Sequence, residues 1–222
     1  VQTLRGLIIG PAGSGKSTLA RTIVREMMRG PSAPARLIVI DTSDEWADHV
    51  DAHVEVDHEA SAKAGRVRWD DVLARHRRVL FELTTPDPEP FAAAIGQAIM
   101  RVGDALVVID EAHHIAHPKA PLAFLAVWTG GRKRGVHALA ITQRITQAQR
   151  VGLSMTVLNN STTAWVFRAT EPRELDKLGQ LLAPEIAEKI PALRPPGPDN
   201  APDYAVYDMR TGRGVIVNGS SL

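Results

Sequence analysis

Apolar residues recur along the chain in two rhythms that take turns. Short continuous runs at Leu7–Ile9, Leu37–Ile40, Val79–Leu83, Ala105–Ile109 and Val136–Ile141 read as strands buried on both faces. Between them lie stretches with helical spacing: Leu19, Ile23 and Met27, then Trp69 to Arg77, Phe91 to Arg101 and Pro121 to Trp128. Gly30-Pro31 with Pro34 ends the first, and Gly130-Gly131 ends the last. Residues 49–57 alternate apolar and polar, as a small half-exposed strand would. Thr163 to Arg168 reads as a further strand, and helical stretches follow at 172–182 and 184–190. A Pro/Gly-rich connector, 193–202, leads to two alternating runs, 204–209 and 214–217, which predict a closing hairpin. Strands that alternate with helices over 222 residues predict an α/β fold, and we expect residues 1–222 to form a single domain.

The first strand runs into the sequence GPAGSGKST at residues 10–18. This is the P-loop pattern G-x-x-x-x-G-K-[ST] in its strand, loop and helix context. Gly10, Pro11, Ala12, Gly13, Ser14 and Gly15 would let backbone N–H groups converge on phosphate oxygens, and the helix that opens with Lys16, Ser17 and Thr18 adds partial positive charge. Lys16 should reach the β- and γ-phosphates, and Ser17 should ligate Mg²⁺.

Ala105–Ile109 ends in Asp110-Glu111. An apolar strand followed by an acid, downstream of a P-loop, is the Walker B pattern: Asp110 would hold Mg²⁺ and Glu111 would orient and activate the attacking water. The letters from Asp110 to His113 also spell the DEAH box of helicases, a reading that needs a second RecA-like lobe absent from this length. His113, His114 and His117 do not form H-E-x-x-H, and we expect a helix start there, running into the loop closed by Pro118 and Pro121. His49 and His53 share an alternating face with Asp51, Glu55 and Asp57, which reads as a solvated face before it reads as a metal site. Asp41 to Glu45 place carboxylates just past a strand end, where ligands of open α/β sheets bind. Gln143 follows the strand 136–141 and is placed to sense the γ-phosphate or its water.

The formal net charge is +1, which names no partner, but its distribution does. From Ala112 to Thr170 there is no acid, while Lys119, Arg132, Lys133, Arg134, Arg144, Arg150 and Arg168 are basic, so an anionic partner is expected on one face. Arg21, Arg25 and Arg29 read as the solvated stripe of the first helix. Cysteine is absent, which excludes disulfides and thiolate metal sites. No apolar run approaches 18 residues, and we expect a cytoplasmic protein with no membrane insertion.

Together these landmarks resemble the FtsK/HerA superfamily of DNA-pumping ATPases, which includes the bacterial chromosome translocase, conjugation coupling proteins, HerA and the genome-packaging ATPases of membrane-containing viruses. The resemblance rests on GPAGSGKST (10–18), the D-x-x-x-E from Asp41 to Glu45, VVIDEAHHI (107–115) and above all GRKRGVHALAITQR (131–144). Leu158 to Arg168 and the final YAVYDMRTGRGVIV look like that family's last strands. The resemblance implies a RecA-like (ASCE) P-loop core with a mainly parallel sheet and helices on both faces. It further implies a hexameric ring with ATP and Mg²⁺ between neighbours, and Gln143 as sensor. Arg132 would be the arginine finger that reaches the next subunit's γ-phosphate, with Arg134 and Arg144 as alternatives for that role. Double-stranded DNA is the implied partner, with a capsid or portal protein as docking partner of a packaging motor. Lys119 and the Arg132–Arg134 neighbourhood would face the pore. A P-loop kinase would need an acceptor lid with paired arginines, which the sequence does not supply; a secretion or pilus-assembly ATPase would keep the site and change the substrate to polypeptide.

Overall fold

The computed structural model describes residues 3–42, 44–143, 145 and 152–219. In chain order it contains β1 (Arg5–Ile9), α1 (Lys16–Met27), β2 (Arg36–Asp41), β3 (Ala52–Val56), α2 (His58–Ala62), α3 (Trp69–Arg75) and β4 (Arg78–Leu83). Next come α4 (Glu89–Val102), β5 (Ala105–Ile109), α5 (Leu122–Thr129), β6 (Val136–Thr142), α6 (Met155–Asn160) and β7 (Thr163–Phe167). The chain closes with α7 (Pro172–Leu181), α8 (Pro184–Ala187), β8 (Tyr204–Asp208) and β9 (Arg213–Val217).

The nine strands form one sheet in the order β3-β4-β2-β5-β6-β1-β7-β8-β9. From β3 through β7 every neighbouring pair is parallel; β8 and β9 then turn back as an antiparallel hairpin. Alternation along each strand divides the core in two. In β1, Leu7 and Ile9 face one side with Ile38, Val107 and Phe124, whereas Ile8 faces the other with Val39, Val108 and Trp46. Because both sides are covered, the central strands read as unbroken apolar runs. Residues of α1 cover the second side through Ala20 and Val24, and α3, α4 and α5 contribute to the first. Helix α4 lies very close to α5: a Cβ on Gly96 would sit 2.6 Å from Phe124 Cα.

The predicted alternation of strand and helix, the parallel central sheet and the closing hairpin are all present. Three local expectations change. Leu158 belongs to α6, whose N-cap Ser154 accepts from Thr156 N at 3.2 Å, so the last strands begin at Thr163. Residues 47–49 form a 3₁₀ turn before β3, which takes His49 off the strand face that carries His53. His53 Nε2 instead meets Glu82 Oε2 at 2.6 Å on the neighbouring strand. Helix α2, capped by Asp57, spans only five residues, too short to leave a periodic signature.

Candidate nucleotide site

The first strand stops at Ile9, and the chain turns through Gly10–Gly15 before α1 begins at Lys16. Gly13 (φ 70°) and Gly15 (φ 94°) lie in the left-handed region, which a side chain would resist. Gly10 is required for space: a Cβ there would lie 2.7 Å from Phe167 Cβ and 2.8 Å from Ser14 Oγ. Within this loop Lys16 is buried, and its ammonium donates to Pro11 O at 2.8 Å. Burial pushes its pKa down, while Glu111, Asp110 and Glu45 pull it up. Ser14 Oγ is buried with no hydrogen-bond partner among the described residues. Ser17 is half-buried and Thr18 exposed at the first turn of α1.

The acidic half of the site comes from β5. Asp110 N continues the ladder onto Ile40 O at 2.9 Å, which fixes the residue just beyond the strand end. Its carboxylate accepts from Trp46 Nε1 (3.1 Å) and from Glu111 N (3.0 Å). Burial raises the Asp110 pKa, because a carboxylate out of water favours its neutral form. Glu111 adopts a left-handed backbone, φ 44° and ψ 50°, a conformation that costs a non-glycine residue about 1–3 kcal/mol and is retained where surroundings enforce it. That turn brings its carboxylate to Gln143, whose Nε2 donates to Oε1, and to His113 Nδ1, 3.3 Å from Oε2. His113 Nδ1 also lies 3.3 Å from Thr142 Oγ1.

Strand order explains why these groups meet. Because β6 lies between β1 and β5, Gln143 emerges between the P-loop and Asp110-Glu111. Nothing in the linear sequence orders the strands this way. Sequence reasoning also missed Trp46 and Arg21. Arg21 Nη2 pairs with Glu45 Oε2 at 3.0 Å, and its guanidinium carbon stands 5.9 Å from the Trp46 ring centroid, so it is more than part of a solvated stripe. The clue available was the D-x-x-x-E segment itself, which runs directly into Trp46. Asp41 is buried beneath it, and its Oδ1 accepts from Thr42 N at 2.7 Å.

The Arg132 segment lies elsewhere. Residues 131–134 form a 3₁₀ turn that leads into the start of β6, with Arg132, Lys133 and Arg134 exposed. Arg134 O accepts from Asp104 N at 2.8 Å, in the turn that starts β5. Arg132 also lies close enough to Arg5, at the start of β1, to lower that guanidinium's pKa after burial has done so. At roughly 3.3 Å per residue, the length of β6 puts about 23 Å between this turn and Gln143. The expected single basic face is therefore not formed: Lys119 and Arg168 follow strand ends, whereas Arg132–Arg134 precede a strand start. Arg144 and Arg150 lie outside the described residues.

This arrangement fits a magnesium nucleotide. A buried lysine bonded to the loop's own carbonyl, a buried hydroxyl without a partner and a carboxylate whose charge is disfavoured by burial are each relieved by a polyanion with a divalent cation. Among the described residues, no group of three or more His, Cys, Asp or Glu is placed to hold a metal by itself. Mg²⁺ is usually bound through one or two carboxylates plus substrate phosphates, and Asp110 is a buried carboxylate at the end of β5. A sequence model of the AAA domain family matches residues 3–149, more than half of the chain. The chain belongs to the AAA domain family. It is a P-loop ATPase with a RecA-like fold.

This AAA domain is 30% identical over 166 residues to the ESX-4 secretion system protein EccC4 of Mycobacterium tuberculosis. The match covers 67% of the chain but only 13% of that much longer relative. Among solved structures it is similar to the genome packaging NTPase B204 of Sulfolobus turreted icosahedral virus 2 in complex with ATP-gammaS. That pair has a TM-score of 0.70 at 18% identity, covering 95% of this chain and 94% of the other. It is also similar to VirB4 of Thermoanaerobacter pseudethanolicus, with a TM-score of 0.63 at 12% identity, covering 96% and 88%. Among the described residues, no helix is long and apolar enough to cross a membrane.

Proposed function

We propose that this ATPase is a cytoplasmic ring motor that translocates double-stranded DNA, with packaging of a viral genome into a capsid as its task. Residues Gly10–Thr18 hold the triphosphate, with Lys16 on the β- and γ-phosphates. Ser17 and Asp110 hold Mg²⁺, which supplies neutralisation of the phosphate charge. Glu111 orients the attacking water and accepts its proton. Gln143 holds Glu111 in the nucleotide-free site and exchanges that contact for the γ-phosphate or its water. Arg132 acts as a finger toward the next subunit of a hexamer, with Arg134 as the alternative.

The observation that carries this reading is the span of β6. One strand ends in Gln143, bonded to Glu111, and begins beside Arg132, too far away to serve its own nucleotide. A rigid strand that joins a phosphate sensor to a distant arginine supports a motor whose sites are completed by neighbours. The likeness to a genome packaging NTPase over nearly the whole chain supports the same choice. DNA contacts through exposed Lys119 would go to phosphates, so affinity should fall steeply with salt. ATPase assays on assembled rings, with and without duplex DNA, test the proposal. Stimulation by duplex DNA that is lost at high salt is expected, and rings indifferent to DNA would overturn it.

The relationship to EccC4 favours a second reading, in which the same ring moves polypeptide during secretion. Stimulation by an unfolded peptide rather than by duplex DNA would select it.

A further inference from the structure

Glu111 meets a different side chain at each carboxylate oxygen: Gln143 Nε2 donates to Oε1, and His113 Nδ1 stands 3.3 Å from Oε2. Only the first contact has been given a role. The second falls short of a hydrogen bond, so Oε2 is buried with no hydrogen-bond partner among the described residues. Contacts between catalytic groups are commonly long before substrate binds and tighten in the complex. We propose that His113 is a positioning residue for hydrolysis, whose Nδ1–H holds Oε2 of Glu111 and keeps Oε1 aimed at the attacking water. The proposal rests on the reading of Glu111 as the water-activating base and adds the group that orients it.

Backbone geometry makes the pairing. Glu111 turns through φ 44° and ψ 50°, and residues 112–114 form a 3₁₀ turn, so a side chain two residues further on folds back to the carboxylate. His114 N donates to Glu111 O at 2.9 Å and Ala116 N to Ala112 O at 2.8 Å, which closes the turn, while buried Ala112 packs in the core. The His114 ring lies against that of His113, with centroids 4.2 Å apart and planes at 36°, and limits the swing of the imidazole. Nδ1 is also 3.3 Å from Oγ1 of Thr142, a buried residue at the end of β6 whose carbonyl accepts from Gly10 N at 3.3 Å. The imidazole is thus seated against a strand end that is tied to the P-loop.

Proton inventory selects the contact. A neutral imidazole has one N–H and one acceptor nitrogen, so Nδ1 either gives its proton to Glu111 or accepts the hydroxyl proton of Thr142. Hydrogen bonds to an ionised acceptor are the stronger kind, which places the proton on Nδ1, facing Oε2. When Gln143 exchanges Oε1 for the γ-phosphate or its water, His113 still holds the carboxylate. Oε1 then takes the proton of the water, whose oxygen bonds the γ-phosphorus as the bond to the β–γ bridging oxygen breaks. His113 keeps its own proton throughout.

Steady-state hydrolysis by the full chain, with ATP binding measured separately, tests the proposal. His113→Ala should lower kcat about tenfold to a hundredfold, the cost of a misplaced catalytic group, and leave KM and ATP affinity within about twofold. His113→Asn, which puts an amide nitrogen in place of Nδ1, should recover to within about threefold of wild type, whereas His113→Gln, whose amide reaches one bond further, should stay near the alanine variant. In a Glu111→Gln background, His113→Ala should cost less than about twofold more in single-turnover rate, because its effect passes through Glu111. Wild-type turnover in His113→Ala, equal rates in the asparagine and glutamine variants, or an undiminished loss in the Glu111→Gln background would overturn the proposal. If His113→Ala fails to fold, the contrast between asparagine and glutamine decides by itself. Normal turnover in Glu111→Gln would overturn the reading of Glu111 and this proposal with it, whereas an inactive Glu111→Gln beside a fully active His113→Ala overturns the role of His113 alone.

Discussion

Trp46 Nε1 donates to Asp110 Oδ2 at 3.1 Å, and both side chains are buried where the segment after β2 passes the end of β5. The indole fixes one carboxylate oxygen, and the backbone N–H of Glu111 fixes the other. Trp46→Phe keeps most of the apolar volume and removes the donor. It should weaken Mg²⁺ binding in the presence of ATP about tenfold or more, as loss of supporting hydrogen bonds around a metal ligand commonly does. A metal titration that follows bound nucleotide measures this.

Asp110 also predicts a pH dependence. Burial raises its pKa in the fold above the unfolded value, so between those two values the folded chain holds a proton that the unfolded chain has released. Stability of the nucleotide-free protein should therefore fall as pH rises from the usual carboxylate range through the raised value. Asp110→Asn removes the charge, leaves one acceptor oxygen for the two donors, and should flatten that fall while abolishing Mg²⁺-dependent nucleotide binding. Thermal melts across pH 3 to 8, a range chosen around roughly 4, the ordinary carboxylate value, read the first effect, and calorimetry reads the second.

Glu111→Gln should leave ATP binding intact and lower turnover by about 10²–10⁴, the range of a lost general base. Gln143→Ala should also slow turnover, by releasing Glu111 from the contact that orients it. Single-turnover hydrolysis with a separate binding assay distinguishes the two steps. Normal turnover in Glu111→Gln would remove the water-activating role.

Arg132→Ala should preserve nucleotide binding and lower hydrolysis in assembled rings by about 10³ or more, as for fingers supplied between subunits. Mixing it with Lys16→Ala subunits should restore part of the activity, because each variant supplies what the other lacks. No restoration across the mixing range would assign the finger to a different residue.

Gly96→Ala should destabilise the fold by roughly 1–3 kcal/mol, since the new methyl would overlap the α5 backbone at Phe124. Chemical denaturation measures the loss, and the slope should stay constant if only stability changes.

Much of this was legible in the residues themselves. GPAGSGKST demanded the strand, glycine turn and helix that residues 5–27 form, because positive φ and bare Cα atoms at the loop are local requirements. Continuous apolar runs fixed the buried strands, since a strand covered on both faces has no polar side to alternate with. Short elements escaped notice: α2 and α6 span fewer than two turns and carry no periodic signal. The grouping of Arg132 with Lys119 also failed, because proximity in sequence cannot reveal that α5 carries the chain from one end of the strands to the other.

The sequence alone determined the phosphate loop, the acidic pair at 110–111 and the alternation of strand and helix, all of which follow from local backbone freedom and side-chain period. Tertiary structure alone decided that β6 lies between β1 and β5, that Gln143 bonds Glu111, that Trp46 holds Asp110, and that Arg132 lies at the end of β6 opposite Gln143. Those relations join residues tens of positions apart, and strand order is set by packing helices over both faces of the whole sheet, a global balance that no local pattern encodes.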